Sequence, residues 1–224
     1  MQAKSPARTR AQPQDRILEA AMRVFRRHGF RRSSIEQAAE EAHLTRQALY
    51  HHFTSKEALF RAVIERLYQG ALDAEIAATR AAEEKGGSLA DIVIAGLAAR
   101  LKHLFASLEG SPHIEELFSE HLAQCRDLYL TYSDRYSEQL AATIARAARR
   151  EGLTLTKGMT PRELARCIEM ASKGVKSSYP SMLPADAFIR DHDRMLRLVI
   201  SGAIAAPPKP SAKKSSRSKP GDRK

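Results

Sequence analysis

Apolar residues recur every three or four positions along most of this chain, which is the spacing of one face of an α-helix. The first such stripe contains Ile17, Leu18, Ala21, Val24 and Phe25. No segment alternates apolar and polar residues as a half-buried strand does, and no internal repeat is evident. We therefore predict an all-α fold of about nine helices, over residues 14–28, 33–42, 45–53, 55–82, 88–108, 113–124, 126–150, 160–179 and 184–206.

Capping residues refine the first of these boundaries. Gly29 is expected to end the first helix, with Phe30 folding back onto its apolar stripe. Ser33 and Glu36 have the spacing of a capping box, in which two side chains satisfy two free backbone N–H groups at a helix start. Thr45 is an N-cap candidate for the third helix.

The helix that follows Thr45 is expected to have a polar outward face. Leu49 and Phe53 are four residues apart and should point into the core. That orientation leaves four polar side chains facing solvent, namely Arg46, Gln47, Tyr50 and His51. A guanidinium, an amide, a phenol and an imidazole can all bond to base edges or phosphates, so this helix is a candidate DNA-reading element. For Tyr50 the alternative is a half-buried aromatic residue that closes the small core.

The net charge of +11 is concentrated at the two ends of the chain. Residues 1–13 contribute +3 and residues 207–224 contribute +6, which leaves only +2 for the whole of 14–206. Both ends are rich in Pro, Ser, Ala and Lys or Arg, and such segments cannot bury enough apolar surface to fold. We predict two disordered basic tails that attract polyanions without sequence preference; tails that only aid solubility are the alternative.

Several functional classes lack support in the sequence. The chain contains no dinucleotide or phosphate-binding glycine motif, no nucleophile elbow and no H-E-x-x-H, so we predict neither an enzyme nor a cofactor. Cys125 and Cys167 have no zinc-finger or C-x-x-C spacing, so we predict no metal. No run of about 18 apolar residues and no signal-peptide core is present, which predicts a cytoplasmic protein without a membrane partner.

Residues 16–60 resemble the N-terminal DNA-binding domain of TetR-family transcriptional regulators. The matching features are the I-L-x-A-A…F…G-F opening, the Ser33–Ser34 pair, Thr45, and the run from Leu49 to Leu59 that reads L-Y-H-H-F-x-S-K-E-x-L. Two positions depart from the family pattern. His43 stands in the turn where the family usually has Gly, and Ala38 stands where a larger aliphatic residue is more common.

The resemblance implies a helix-turn-helix motif from Ser34 to Phe53 whose second helix enters the major groove. Arg46 is then the candidate for a guanine edge and Gln47 for an adenine edge, because their geometry suits those bases. The hydroxyls near the second helix and the ammonium of Lys56 suit phosphates. The full predicted DNA-binding set is Ser33, Ser34, Thr45, Arg46, Gln47, Tyr50, His51 and Lys56.

We divide the chain into four regions, with one long helix linking the two folded ones. The predicted regions are a basic arm at 1–13, a DNA-binding domain at 14–60, a ligand-binding and dimerisation domain at 61–206, and a basic tail at 207–224.

The last two predicted helices have small or apolar faces that favour packing against a second copy. The resemblance also implies dimerisation through this pair. The candidate dimer residues are Ile168, Ala171, Val175, Met195 and Val199. The alternative is that these faces only complete the core of one protomer.

The middle helices bring polar groups into an otherwise apolar region, as a ligand pocket requires. The resemblance implies a small-molecule effector there. The candidate ligand-binding residues are His103, His113, Glu116, His121, Cys125, Tyr129 and Tyr132. His121 and Cys125 are four residues apart and could share a metal ion, but no third ligand has a diagnostic spacing.

Together these patterns predict a homodimeric regulator that binds a near-palindromic, double-stranded operator. We expect a repressor that is released from DNA by an effector bound in the C-terminal domain. The alternatives are an activator of the same fold, and an architectural protein that binds DNA non-specifically through its basic tails.

Overall fold

The computed structural model describes residues 13–179 and 185–205, and within these residues the fold is all-α. One isolated antiparallel bridge, between Leu155 and Ile204, is the exception within those ranges. The described residues form nine helices, as predicted: α1 Pro13–Arg32, α2 Ile35–Glu41, α3 Arg46–His52, α4 Lys56–Glu84, α5 Leu89–Leu108, α6 Ile114–Gln124, α7 Arg126–Glu151, α8 Pro161–Ser178 and α9 Ala185–Ala203. The predicted tails at 1–13 and 207–224 lie outside the described residues, except for Pro13.

The chain turns sharply near the end of α1. Gly29 has φ 75° and ψ 171°, so the helix is interrupted there and one further short turn reaches Arg32. Phe30 folds back as predicted, with its ring centroid 6.0 Å from that of Phe25 and 4.7 Å from that of Phe60. We call residues Gly29 to Ser33 the α1 corner.

Helix α2 begins one residue later than the capping prediction placed it. Ser34 is the N-cap: its hydroxyl accepts from the backbone N–H of Gln37 at 3.3 Å, and the Gln37 amide oxygen accepts from the Ser34 N–H at 2.9 Å. The predicted capping box of Ser33 and Glu36 is therefore wrong. The Ser33 hydroxyl is buried and instead donates to the carbonyl of Gly29.

The turn between α2 and α3 has the strained backbone that its sequence suggested. His43 has φ 57° and is the one non-glycine residue with positive φ in the described part of the chain. Its N–H donates to the Glu40 carbonyl at 3.0 Å, and the Leu44 N–H donates to the Ala39 carbonyl at 2.8 Å. These two bonds form a Schellman motif, whose left-handed position usually holds glycine.

Helix α4 is continuous between two groups of helices, so the predicted domain boundary at residue 60 falls inside it. We call α1, α2, α3 and the start of α4 the head, and the rest of α4 with α5 to α9 the bundle. It packs closely on α5 because Gly96 has no side chain: a Cβ there would lie 2.6 Å from the Thr79 methyl carbon. Beside this crossing, the buried Glu75 carboxylate accepts from the Arg100 guanidinium at 3.1 Å. The Arg100 side chain also stacks 4.6 Å above the Tyr136 ring.

Two cores result. The first joins the head to α4, α6 and α7, and includes Phe25, Leu49 and Phe60. The second lies between α5, α7, α8 and α9 and includes Ile168 and Leu196. Because α4 contributes to the head and borders the bundle, the position of the head depends on how the bundle packs around this helix.

Next to the second core, α9 buries a histidine. His192 lies within 3.0 Å of the Ser172 hydroxyl, and its ring stacks on Phe188 at 5.7 Å between centroids. Burial, followed by the positive charges of Lys176 and Arg100, lowers the pKa of His192 to about 4. The imidazole is therefore neutral in the folded protein at neutral pH.

Replacing His43 with glycine should stabilise the fold. The αL backbone costs a side chain about 1–2 kcal/mol, part of which is offset by the greater freedom of glycine when unfolded. We expect His43→Gly to raise the free energy of unfolding by about 0.5–1 kcal/mol, measured by urea denaturation. His43→Ala is the matched control because it keeps the β-carbon. An equal gain in His43→Ala would assign the cost to the imidazole instead of the backbone.

Acidification should destabilise the protein through His192. Its folded-state pKa lies below the ordinary value of 6.5, so the unfolded chain binds the proton more readily and stability falls from pH 6.5 towards pH 4. This single group accounts for roughly 3 kcal/mol of loss over that range. His192→Gln, which can still bond to Ser172, should flatten the loss when thermal or urea unfolding is compared at several pH values. Parallel pH profiles for the two proteins would contradict the assignment.

Candidate nucleic-acid interface and ligand cavity

Two residues fix the orientation of α3 and so determine which of its side chains face outward. Thr45 caps the helix by accepting from the Ala48 N–H at 3.1 Å, and Leu49 is completely buried in the head core. With those positions held, the predicted polar side chains all face solvent: Arg46, Gln47, Tyr50 and His51. Tyr50 is 38% exposed, so it does not close the core. The helix therefore presents four polar side chains on a rigid support.

Arg46 is held in place before any ligand arrives. Its Nε lies 2.9 Å from the Glu36 carboxylate, and its guanidinium carbon lies 5.3 Å from the centroid of the Tyr50 ring. Hydrogen bonding to Tyr50 and the charge of Glu36 raise the pKa of Arg46, which stays protonated. A base or phosphate that binds Arg46 must therefore compete with Glu36, an exposed carboxylate on the neighbouring helix.

Two residues predicted to hold phosphates have structural roles instead. Ser33 is buried and bonds to Gly29, so its hydroxyl does not face solvent. Lys56 donates to the carbonyls of Phe30 at 3.0 Å and Ser33 at 3.1 Å, and also to that of Arg31 at 3.3 Å. These bonds use all three ammonium protons. Of the predicted phosphate contacts near α2, only Ser34 keeps a partly exposed hydroxyl.

The arginines around the α1 corner bind the protein itself. Arg31 Nε lies 2.8 Å from Glu120, and the Arg31 backbone N–H donates to Glu116 at 2.8 Å. Arg26 bonds to the Glu109 carbonyl, and Arg32 lies 3.4 Å from a ring nitrogen of His113. These contacts join α1 to α6 and to the segment between α5 and α6. Sequence separations above 80 residues left no local signal from which they could have been predicted.

The seven predicted ligand residues separate into four places. His113 and Glu116 belong to the joint between α6 and the α1 corner. Cys125 is fully buried, and burial raises the pKa of its thiol to about 11. His103 and Tyr132 border an open surface groove between α1 and α4, where Tyr132 donates to Gln69 at 3.2 Å. Of the seven, only His121 and Tyr129 line the apolar cavity described next.

This cavity has a volume of about 150 Å³ and lies between the head and the bundle. Its walls come from α1, α4, α5, α6 and α7, with α8 at one edge. Phe25 and Phe60, whose rings meet edge to face at 5.2 Å, belong both to the head core and to the cavity wall. Most of the wall residues were assigned from periodicity to the core, so sequence reasoning missed the cavity.

Few polar groups reach the cavity. The Tyr68 hydroxyl and His121 Nε2 are hydrogen-bonded to each other. Burial raises the pKa of Tyr68 and lowers that of His121, so both groups are neutral at neutral pH. Tyr129 and Lys176 are the other polar residues on the wall. The His121–Cys125 pair gains no third partner: within the described ranges no group of three His, Cys, Asp or Glu side chains could hold a metal ion.

The predicted dimer residues are divided between the core and the surface. Ile168 and Val175 are buried within the protomer, so they are not available to a partner, whereas Met195 is exposed. Met170 and Leu198 were not among the predicted residues, and they are 61% and 62% exposed on α8 and α9. Ala171 and Val199 lie between these extremes. No helix in the part of the chain described here is long and apolar enough to cross a membrane.

The head matches known regulators in sequence. Residues 17–63 match the profile of the family described as bacterial regulatory proteins, tetR family. The chain is 44% identical over 57 residues to the HTH-type transcriptional regulator UidR of Escherichia coli K12, a match over 25% of this chain. It is 41% identical over 61 residues, or 27% of this chain, to the HTH-type transcriptional repressor NicS of Pseudomonas putida. Each match spans 29% of the relative's length.

The fold is shared over a longer stretch. A crystal structure from Mesorhizobium loti, of a protein assigned to the TetR-family transcriptional regulators, superposes with a TM-score of 0.66 at 20% identity. The superposition covers 88% of this chain and all of that one. Residues 17–63 therefore resemble the tetR family of bacterial regulatory proteins in sequence, and the chain as a whole shares the all-helical architecture of the Mesorhizobium loti protein.

Proposed function

We propose that this protein is a homodimeric regulator of transcription that binds a near-palindromic operator in the cytoplasm, without any catalytic role. The observation that carries the proposal is the polar outward face of α3, held rigid by Thr45 and the buried Leu49. A short helix with exposed Arg, Gln, Tyr and His side chains suits the major groove, where base edges present distinct patterns of donors and acceptors.

Within this proposal, Arg46 leaves Glu36 and binds a guanine edge, and Gln47 binds an adenine edge. Tyr50 and His51 contact the backbone or neighbouring bases, and the hydroxyls of Ser34 and Thr45 lie beside phosphates. Ser33 and Lys56 are left out because their polar groups bond within the α1 corner. The predicted basic tails at 1–13 and 207–224 add non-specific attraction to the duplex.

Repression with release by an effector is the mechanism that we propose. One of the matched relatives is named as a repressor, and this chain has an apolar cavity beside its head. Helix α6 links the two: Leu117 and His121 line the cavity, while Glu116 and Glu120 hold the α1 corner. A ligand weakens DNA binding only if it prefers the arrangement that cannot bind DNA, since equal affinity for both shifts nothing.

The dimer interface that we propose differs from the one expected from sequence. Met170 and Leu198 replace Ile168 and Val175, and Met195 is retained. Gly174 and Gly202 support close approach, because a Cβ added at either would meet nothing within 4 Å in the protomer. Two recognition helices related by a two-fold axis then read half-sites about 34 Å apart.

Two other functions remain as alternatives with different expectations. An architectural protein driven by its basic tails binds any duplex, and it loses this binding steeply as salt rises. An activator shares the operator preference but increases transcription. Removing residues 207–224 separates the first alternative from the proposal, because a regulator keeps its specific footprint without the tail.

Arg46→Ala should weaken binding to an operator selected from a random DNA pool by about 10- to 100-fold, with relaxed preference at one base pair. The reason is the loss of a bidentate base contact worth about 1–3 kcal/mol. Fluorescence anisotropy with selected and scrambled duplexes measures the change. Arg149→Ala is the control, since it removes an exposed arginine at the far end of α7. An unchanged footprint in Arg46→Ala would overturn the assignment of α3.

Leu198→Glu should convert the dimer to a monomer. A carboxylate buried without a partner costs about 3 kcal/mol or more, which raises the dimer dissociation constant by about 100-fold. Analytical ultracentrifugation measures this constant, and operator affinity should fall with it. Ile189→Glu is the matched control: Ile189 is 61% exposed, but nine residues away on α9 it faces the opposite side. Equal effects of the two substitutions would contradict the proposed face.

A further inference from the structure

We propose that the effector is a small apolar molecule with one anionic group, of the class of short aryl-substituted carboxylates. Its ring would occupy the apolar cavity and its carboxylate would bind the ammonium of Lys176. This inference rests on the proposed function, because it names the chemical class that the same cavity accepts.

The residues that line the cavity determine the polarity and size of the ligand body that fits there. Away from Tyr68, His121, Tyr129 and Lys176, every residue that lines the cavity is apolar, so burial of an apolar group there is favourable. A volume of about 150 Å³ suits a body of benzene size, as found for engineered apolar cavities of that volume. Phe60 and Phe105 supply aromatic faces for it. A sugar or nucleotide has too many polar groups for these walls to satisfy.

The two inner polar groups cannot hold a charge. Tyr68 and His121 bond to each other and are both kept neutral by burial. No acidic residue lines the cavity, so a cationic ligand would find no counter-charge there. The inner end of the site therefore accepts an apolar group or a neutral polar one.

Lys176 supplies the only formal charge on the cavity wall. Although the residue is solvent-exposed, protein atoms around its ammonium and then the charges of Arg100 and Lys173 lower its pKa to about 8. Arg100 is already paired with Glu75, whereas no acid of the described ranges forms an ion pair with Lys176. An anion beside Lys176 would relieve the repulsion among these cations, which is the feature that selects a carboxylate.

The cavity position also explains how such a ligand would act. Its body would touch Phe25 and Phe60 of the head core and Leu117 of α6 together. Because α6 holds the α1 corner through Glu116, a ligand that moves α6 away from α4 changes the position of the head.

The test uses the full chain and two probes that differ in charge but hardly in shape: 3-phenylpropionate and 3-phenylpropionamide. Isothermal titration calorimetry near pH 7 should give about tenfold tighter binding of the carboxylate, the size expected of one charge-assisted bond. Lys176→Met keeps the apolar stem and should reduce carboxylate affinity to that of the amide, whose own affinity stays unchanged. Lys173→Met, one turn earlier and not on the cavity wall, should keep the tenfold preference.

Each other result overturns the inference. Equal affinities of the two probes in the unmodified protein, a charge preference that survives Lys176→Met, or no binding of either probe would exclude this ligand class. Anisotropy with the selected operator is measured in parallel. Binding that depends on Lys176 without release of DNA leaves the ligand class standing and refutes effector-driven release. Failure to select any operator refutes the proposed function and leaves the calorimetric result intact.

Discussion

The α1 corner is the constraint on which the arrangement of the whole chain depends. Gly29 adopts φ 75° there, and a side chain at this position would meet the Glu116 carboxylate at 2.5 Å. The Glu116 carboxylate occupies that space and accepts a hydrogen bond from the Arg31 N–H. The Lys56 ammonium donates hydrogen bonds to three backbone carbonyls of the same turn. One short segment therefore joins α1, α4 and α6, and it determines how the head sits on the bundle.

This joint changes how the basic residues of the head are to be understood. Lys56 and the corner arginines neutralise carboxylates or cap carbonyls, so they add little free positive charge to the DNA-facing side. With only +2 over residues 14–206, the folded part has weak general attraction for a polyanion. In the proposed complex, specificity would then come from a few directed contacts on α3. Those contacts would have to be stronger still, because Glu36 competes with DNA for the Arg46 guanidinium.

Local features of the fold could be predicted from sequence, because they depend on contacts within a few residues. Thr45 caps α3 as predicted, and the predicted helices at 88–108 and 160–179 begin with the N-caps Ser88 and Thr160, since each cap is a bond between residues three apart. The αL conformation of His43 belongs to the Schellman motif that ends α2, whose two hydrogen bonds join residues close in sequence. Ser33 and Ser34 show where prediction from local sequence stops. Both residues are good N-caps, and Ser34 is the one used because Ser33 is buried, which depends on residues distant in the sequence.

The candidate functional surfaces were harder to predict, because a helix has several faces and the sequence does not show which neighbour each face contacts. On α6, Glu116 and His121 are both polar residues in an apolar region, yet one contacts the α1 corner and the other lines the cavity. On α8, the apolar stripe with Ile168 packs inside the protomer, while Met170 lies on the exposed side. Periodicity identifies a face that needs burial, but it cannot tell whether the partner is the same chain or a second copy.

Shared side chains give the proposed regulation a short physical path. Phe25 and Phe60 pack against Phe30 of the α1 corner and also form part of the cavity wall. A ligand in the cavity is thus in direct contact with the core of the head, and no long chain of intermediates is needed to reach it. A 100-fold preference of the ligand for one head position is worth about 2.7 kcal/mol, comparable to one buried aromatic contact surface gained or lost. Under the proposed regulation, repacking around these phenylalanines would supply enough free energy to decide whether the two recognition helices match their half-sites.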